Sequence, residues 1–159
     1  MGEPETVVPF TISERYPMSS PATSKAMPAG RIPEDIYRWF NSLQGRTAPV
    51  TAEEVRQMWT DDCQMITNGQ VKCTGIPAFV KHFNEIRDKL KAWKVALPMA
   101  IRVEQNNTVG VSYHIDVVMK DGAPGKVLIC AFFELRAGKA AKMTEIAHFE
   151  GAELHLENH

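Results

Sequence analysis

Cysteine is scarce in this chain of 159 residues: Cys63, Cys73 and Cys130 are the only three, and no two stand in a Cys-x-x-Cys pair. That spacing excludes a site built on paired thiolates, and the odd count reads as reduced thiols rather than a disulfide framework. An excess of either charge is missing too. Eighteen Lys and Arg against nineteen Asp and Glu give a formal net charge of -1, without the electrostatic footprint of a nucleic-acid binder. The basic residues Lys81, Arg87, Lys89, Lys91 and Lys94 alternate with Glu85 and Asp88, the pattern of a solvated helix face. No stretch reaches the roughly 18 apolar residues of a membrane span. Met1–Ser13 carries acids where a secretory leader needs a basic region, so the expected location is cytoplasmic. There is no phosphate-binding glycine loop and no nucleophile elbow. His114, Asp116 and Glu145 could assemble a metal site, but no spacing specifies one, and neither metal nor cofactor is expected.

What is present is ordinary apolar content, 44%, enough for the core of one domain. Residues 1–31 stand apart. Pro4, Pro9, Pro17, Pro21 and Pro28 punctuate a segment with no apolar period, which predicts a flexible or extended arm. Its Val7, Val8, Phe10, Ile12 and Tyr16 are apolar enough to dock on a neighbouring subunit. Residues 32–152 form the expected folded domain and 153–159 a C-terminal tail.

Within that domain helices come first. Pro33, Glu34 and Asp35 open one, with Ile36, Trp39, Phe40 and Leu43 as its buried stripe and Gly45 at its end. Thr51 and Glu54 make a capping box for a second, which buries Val55, Met58 and Trp59 before Asp61-Asp62 stop it. Cys63–Thr67 reads as a strand, Asn68-Gly69 as a tight turn, and Gly75 with Pro77 opens a third helix. Ile76, Phe79, Val80, Phe83, Ile86 and Leu90 recur there at helical spacing, while His82 reads as a satisfied histidine on the helix face. Strands are expected near 93–104, 108–119, 126–136 and 140–150. Helices followed by a meandering sheet predict an α+β fold, a curved mixed or antiparallel sheet wrapped as a cone around about three N-terminal helices. Val127–Phe133 is apolar on both faces, so the outer face needs a cover, and a homodimer through that face is expected.

One strand carries Ser112, His114 and Asp116, which alternation places on a single face. Residues two apart stand ~6.5–7 Å apart, enough to grip one substrate or water from two sides. A buried aspartate shifts upward and becomes a usable base, and a histidine beside it switches near neutrality. The other reading of these three residues is the wet outer face of an ordinary strand.

The segment Trp59-Thr60-Asp61-Asp62, a strand, a turn and Gly75-Ile76-Pro77-Ala78-Phe79 resembles the helix–strand–helix signature of SnoaL-like proteins in the nuclear transport factor 2 superfamily. Phe132-Phe133-Glu134-Leu135-Arg136-Ala137-Gly138-Lys139, followed by Thr144-Glu145-Ile146-Ala147-His148-Phe149-Glu150, resembles that family's closing hairpin. The resemblance covers about residues 33–150 and implies a dimeric cone with a pocket open at one end. It also implies a small apolar ligand, polyketide-, steroid- or terpene-like. Its members include isomerases, cyclases, dehydratases, an epoxide hydrolase and proteins with no catalysis, so the fold alone leaves function open.

Carried over by position, the resemblance removes more than it adds. Thr67 stands where ketosteroid isomerase has its base, Cys130 where it has its oxyanion acid, and Trp39 where it has its helix tyrosine. Ala147 stands where the cyclases place an acidic base. The nearest enzyme pattern is that of limonene epoxide hydrolase, whose Arg-x-Asp resembles His114-Ile115-Asp116 with Thr67 as the water-orienting residue; its second aspartate is again lost at Ala147. The expected catalytic set is therefore His114, Asp116 and Thr67, in a cofactor-independent acid–base lyase, isomerase or hydrolase. The expected ligand contacts are Tyr37, Trp59, Met65, Phe83, Ser112, Cys130 and Glu145. A non-catalytic binding domain and a dimerisation module whose arm recruits a partner remain as alternatives.

Overall fold

The computed structural model describes residues 32–151, 154–156 and 158–159, so the arm expected over 1–31 lies outside the described residues. The first helix, α1, covers Ile32–Ser42 and buries Pro33, Ile36, Tyr37 and Phe40. The second, α2 (Ala52–Met58), is capped as its sequence specifies: the Thr51 hydroxyl accepts from the Glu54 backbone while the Glu54 carboxylate accepts from the Thr51 backbone. A third, α3 (Ile76–Lys89), starts after Gly75, whose φ of 78° suits a residue without a Cβ. Ile76, Phe79, Phe83 and Ile86 form its buried stripe.

Among the described residues seven strands follow the expected order with two corrections. The second helix stops at Met58, and Trp59 opens β1 (Trp59–Thr67) instead of closing the helix. A hairpin turn at Asn68-Gly69, with φ of 51° and 79°, leads into β2 (Gln70–Thr74). The single strand expected at 93–104 is two, β3 (Leu90–Val95) and β4 (Ile101–Gln105), because the chain turns around Pro98, which has no N–H to give a ladder. Then come β5 (Thr108–Met119), β6 (Pro124–Arg136) and β7 (Lys139–Gly151).

The sheet order is β2-β1-β7-β6-β5-β3, with β4 also on β5. All pairings are antiparallel except β1 with β7, which run parallel from Trp59↔Ala140 to Thr67↔Glu145. The sheet is mixed and unclosed, and its buried face packs on the helices as an α+β cone. Aromatic rings fill the junction: Trp59 lies 4.5 Å from Phe79 and 6.1 Å from Phe133 between ring centres, and Trp93 stacks on Phe40 at 5.3 Å. The Trp93 indole N–H also donates to the Phe40 carbonyl at 3.0 Å, which fixes β3 against α1.

Candidate functional site

Alternation decides which side chains the sheet turns inward. Along β5, Val109, Val111, Tyr113 and Val117 are buried, and β6 turns Val127, Ile129, Ala131 and Phe133 to the same side. Between this face and the helices lies a cavity of about 420 Å³. Its walls are largely apolar, including Ile36, Phe40, Ile86 and Ile129, with a few polar groups among them: Tyr37, Tyr113, Thr67, Glu145 and His82. That mixture is the usual make-up of a small-molecule site.

Six of the sequence-derived site residues meet in this cavity: Thr67, Tyr37, Trp59, Met65, Phe83 and Glu145 all line it. Four do not, and their placement corrects the expected catalytic set. Ser112, His114 and Asp116 have the parity opposite to Tyr113, Ile115 and Val117, so they point to the outer face of the sheet. Cys130 pairs with Ser112 in register on that same outer face, its thiol 3.7 Å from the Ser112 hydroxyl. Asp116 is exposed, 3.7 Å from Lys126 Nζ and 3.9 Å from His114 Nε2. The more apolar parity of β5 was the signal that Tyr113, not His114, faces inward.

Glu145 is the chemically distinctive residue. It is 8% exposed, and its carboxylate accepts from the Thr67 hydroxyl at 2.8 Å across the β1–β7 pairing. Burial pushes its carboxyl up to about 7, against a smaller opposite pull from the Thr67 hydrogen bond. Facing the same space, the Tyr37 and Tyr113 hydroxyls bond each other, and Tyr37 also donates to Met143 Sδ at 3.7 Å. Burial above all holds both phenols well above their ordinary range, followed by the Glu145 charge for Tyr37 and by Tyr37 and then Glu145 for Tyr113, so both stay protonated. A thioether is a weak acceptor, and a ligand oxygen would serve Tyr37 better. Trp59 Nε1 is a buried donor with no partner among the described residues.

The C-terminal segment closes one side. Leu154, His155 and Leu156 line the cavity, so the expected tail packs on the domain at its described residues. Lys72 Nζ donates to Asn158 Oδ1 at 2.8 Å, Lys89 Nζ donates to the His155 carbonyl, and the His159 ring meets Glu85 Oε2 at 2.8 Å. His82, read from sequence as a satisfied histidine, is instead 5% exposed, and its Nδ1 has no hydrogen-bond partner among the described residues. Burial pushes its imidazole down to about 4 and keeps it neutral. Sequence reasoning missed its grouping with Glu85 and His159; the His-x-x-Glu spacing on one helix was the only local sign of it.

No family model and no curated protein matches the chain. Solved structures match in fold. A protein of unknown function described as NTF2-like, from Exiguobacterium sp. 255-15, superposes with a TM-score of 0.62 at 18% identity, over 74% of this chain and 98% of its own. An LEH-like epoxide hydrolase from M. tuberculosis gives 0.60 at 12% identity, over 76% and 82%. IdmH, a putative polyketide cyclase from Streptomyces antibioticus, gives 0.60 at 11% identity, over 76% and 92%. The protein has the nuclear transport factor 2-like fold that the resemblance in its sequence implied.

Proposed function

We propose that the cavity binds a small, largely apolar molecule carrying a carbonyl or hydroxyl oxygen, and that Glu145 acts on it as a general base or acid. The observation that carries this reading is a buried carboxyl, held by Thr67 through one oxygen, inside an apolar cavity that also presents protonated phenols. A carboxyl titrating near neutrality suits proton transfer in either direction. Thr67 engages Oε1, which leaves Oε2 for a substrate proton or a water. Tyr37, backed by the Tyr113 hydroxyl, would turn its O–H from Met143 to the ligand oxygen where charge develops. Isomerisation, hydration or dehydration, and hydrolysis are the reaction classes this set serves without a cofactor. The polyketide- and epoxide-directed proteins of the same fold support a ligand of that character.

The test uses N-phenylnaphthylamine, a neutral apolar fluorophore, displaced by small ketones of steroid, terpene and polyketide type. The probe is expected to bind the natural chain and to lose its site in Ile129→Trp, which fills the cavity. A folded Ile129→Trp that binds the probe equally overturns the reading. Exchange of protons next to the carbonyl of a bound ketone, followed by NMR in heavy water, then separates catalysis from carriage. Loss of that exchange in Glu145→Gln supports catalysis, whereas binding without exchange leaves a carrier.

A second copy of the chain is the proposed cover for the outer sheet face. Supporting this, Leu128, Phe132 and Ile146 on adjacent strands are 47%, 55% and 64% exposed, with Ile101 and Val103 beside them on β4 at 59% and 58%. A contiguous apolar patch of this kind is rare on a monomer. Light scattering should give twice the chain mass, falling to one in Phe132→Asp; a natural chain that is monomeric at all concentrations removes the proposal.

A further inference from the structure

Beside the cavity, α3 and the C-terminal segment bring together His82, Glu85 and His159, whose ligand atoms all lie within 4.8 Å of one another. We propose that these three residues bind a divalent cation of the Zn²⁺ class, and that the ion clasps the C-terminal segment across the cavity.

Two independent observations support this. The first is donor chemistry: two imidazoles and one carboxylate are a known three-residue zinc set, with the fourth position left to water or a ligand. His82 and Glu85 stand three apart on α3, so both side chains lie on one face of that helix. The His159 ring reaches the same spot from the chain's other end, 2.8 Å from Glu85 Oε2 and 6.3 Å from the His82 ring centre. The second is Nδ1 of His82, a buried nitrogen with no hydrogen-bond partner among the described residues. A buried polar atom with no partner costs free energy and calls for an explanation, and a metal ion at this position supplies one.

The geometry needs little movement. Ligand atoms on a tetrahedral zinc with bonds of about 2.0–2.2 Å stand roughly 3.3 Å apart, so the present spread closes by side-chain rotation. Lys89 Nζ holds Glu85 Oε1 at 2.7 Å, which orients the carboxylate, and Oε2 already faces His159 at 2.8 Å. Such an outer partner is usual around a ligating group. His82 lines the cavity while Leu154, His155 and Leu156 form part of its wall. An ion joining His82 to His159 therefore ties that wall to α3.

The test is calorimetric titration of the full chain with Zn²⁺, and with Co²⁺ as a spectroscopic probe. One equivalent per chain is expected, with a tetrahedral Co²⁺ spectrum and a raised Tm, while Mg²⁺, which prefers oxygen donors, does not compete. His82→Ala and His159→Ala should each weaken binding by about tenfold or more, while His148→Ala on the outer face leaves it unchanged. His82 is buried, so its variant could fail to fold. His159→Ala, altered only in the C-terminal segment, decides in that case. Cleavage of residues 154–159 by carboxypeptidase should slow when Zn²⁺ is added. Absence of Zn²⁺ binding in the micromolar range, or equal binding by folded His159→Ala, overturns the site. Binding without protection of the segment overturns the clasp.

Discussion

Thr67 donates its hydroxyl to Glu145 Oε1 at 2.8 Å, from strand to strand across the parallel pairing of β1 with β7. Among the described residues this bond alone opposes the upward push of burial on that carboxyl, and burial wins. The cavity thus carries an acid that is half-ionised near neutral pH.

Stability should record that acid. Below about 4.5 Glu145 is protonated in both folded and unfolded chains, so its stabilising contribution is complete. Between about 4.5 and about 7 the unfolded chain ionises while the folded one keeps its proton, and stability falls as pH rises. Above that window the loss reaches about 3 kcal/mol at most, from 1.4 kcal/mol per pKa unit. Glu145→Gln is expected to flatten this slope and to be the more stable chain at alkaline pH. Denaturant titrations on both sides of neutrality measure it, and an unchanged slope would place the titration elsewhere.

The buried phenol pair should be strongly non-additive. Tyr37→Phe leaves the Tyr113 hydroxyl buried without its partner, at a cost of about 1–3 kcal/mol. The double variant with Tyr113→Phe strands no hydroxyl, so its cost should be below the sum of the two singles. Additive losses in a double-mutant cycle would show that the two hydroxyls do not interact.

Gly110 should resist even one methyl. A Cβ there would stand 2.8 Å from Val103 Cγ2 and 3.0 Å from Phe132 Cε1. Gly110→Ala is expected to destabilise by about 1–3 kcal/mol, and Phe132→Ala in the same chain should recover part of that. A neutral Gly110→Ala in thermal unfolding would mean the outer face yields more easily than its packing suggests.

His114→Ala and Asp116→Ala should leave fluorophore binding in the cavity unchanged, because both side chains stand on the far side of the sheet. A tenfold loss in either, by the same displacement assay, would contradict that placement.

Much of the fold was legible because local signals agreed with the global answer. The Thr51–Glu54 box, the Asn68-Gly69 turn and the Ile76-to-Ile86 stripe each specify one local conformation, and each formed. The choice of face on β5 was less legible. Alternation separates Ser112, His114 and Asp116 from the more apolar set Tyr113, Ile115 and Val117, but β6 offers apolar residues to both sides and so blurs which side of the sheet is the interior. Glu145 shared its parity with Ala147, which pointed inward correctly, yet its partnership with Thr67 depends on a parallel pairing that no local pattern encodes. The cluster at His82 needs the C-terminal segment to return to α3, a contact more than seventy residues away in sequence.

The parallel pairing also sets an order of events during folding. Strand β1 lies between β2 and β7, but β2 is made at once and β7 only after some seventy further residues. Until then one edge of β1 exposes unpaired backbone groups, and the hairpin it forms with β2 is too small to persist alone. Closing so long a loop is entropically expensive and slows folding. The chain should therefore collapse first around α3 and the β5–β6–β7 meander, with β1 joining through its contact to β7. The arrival of β1 also brings Thr67 to Glu145, so the same pairing that adds β1 to the sheet completes that wall of the cavity.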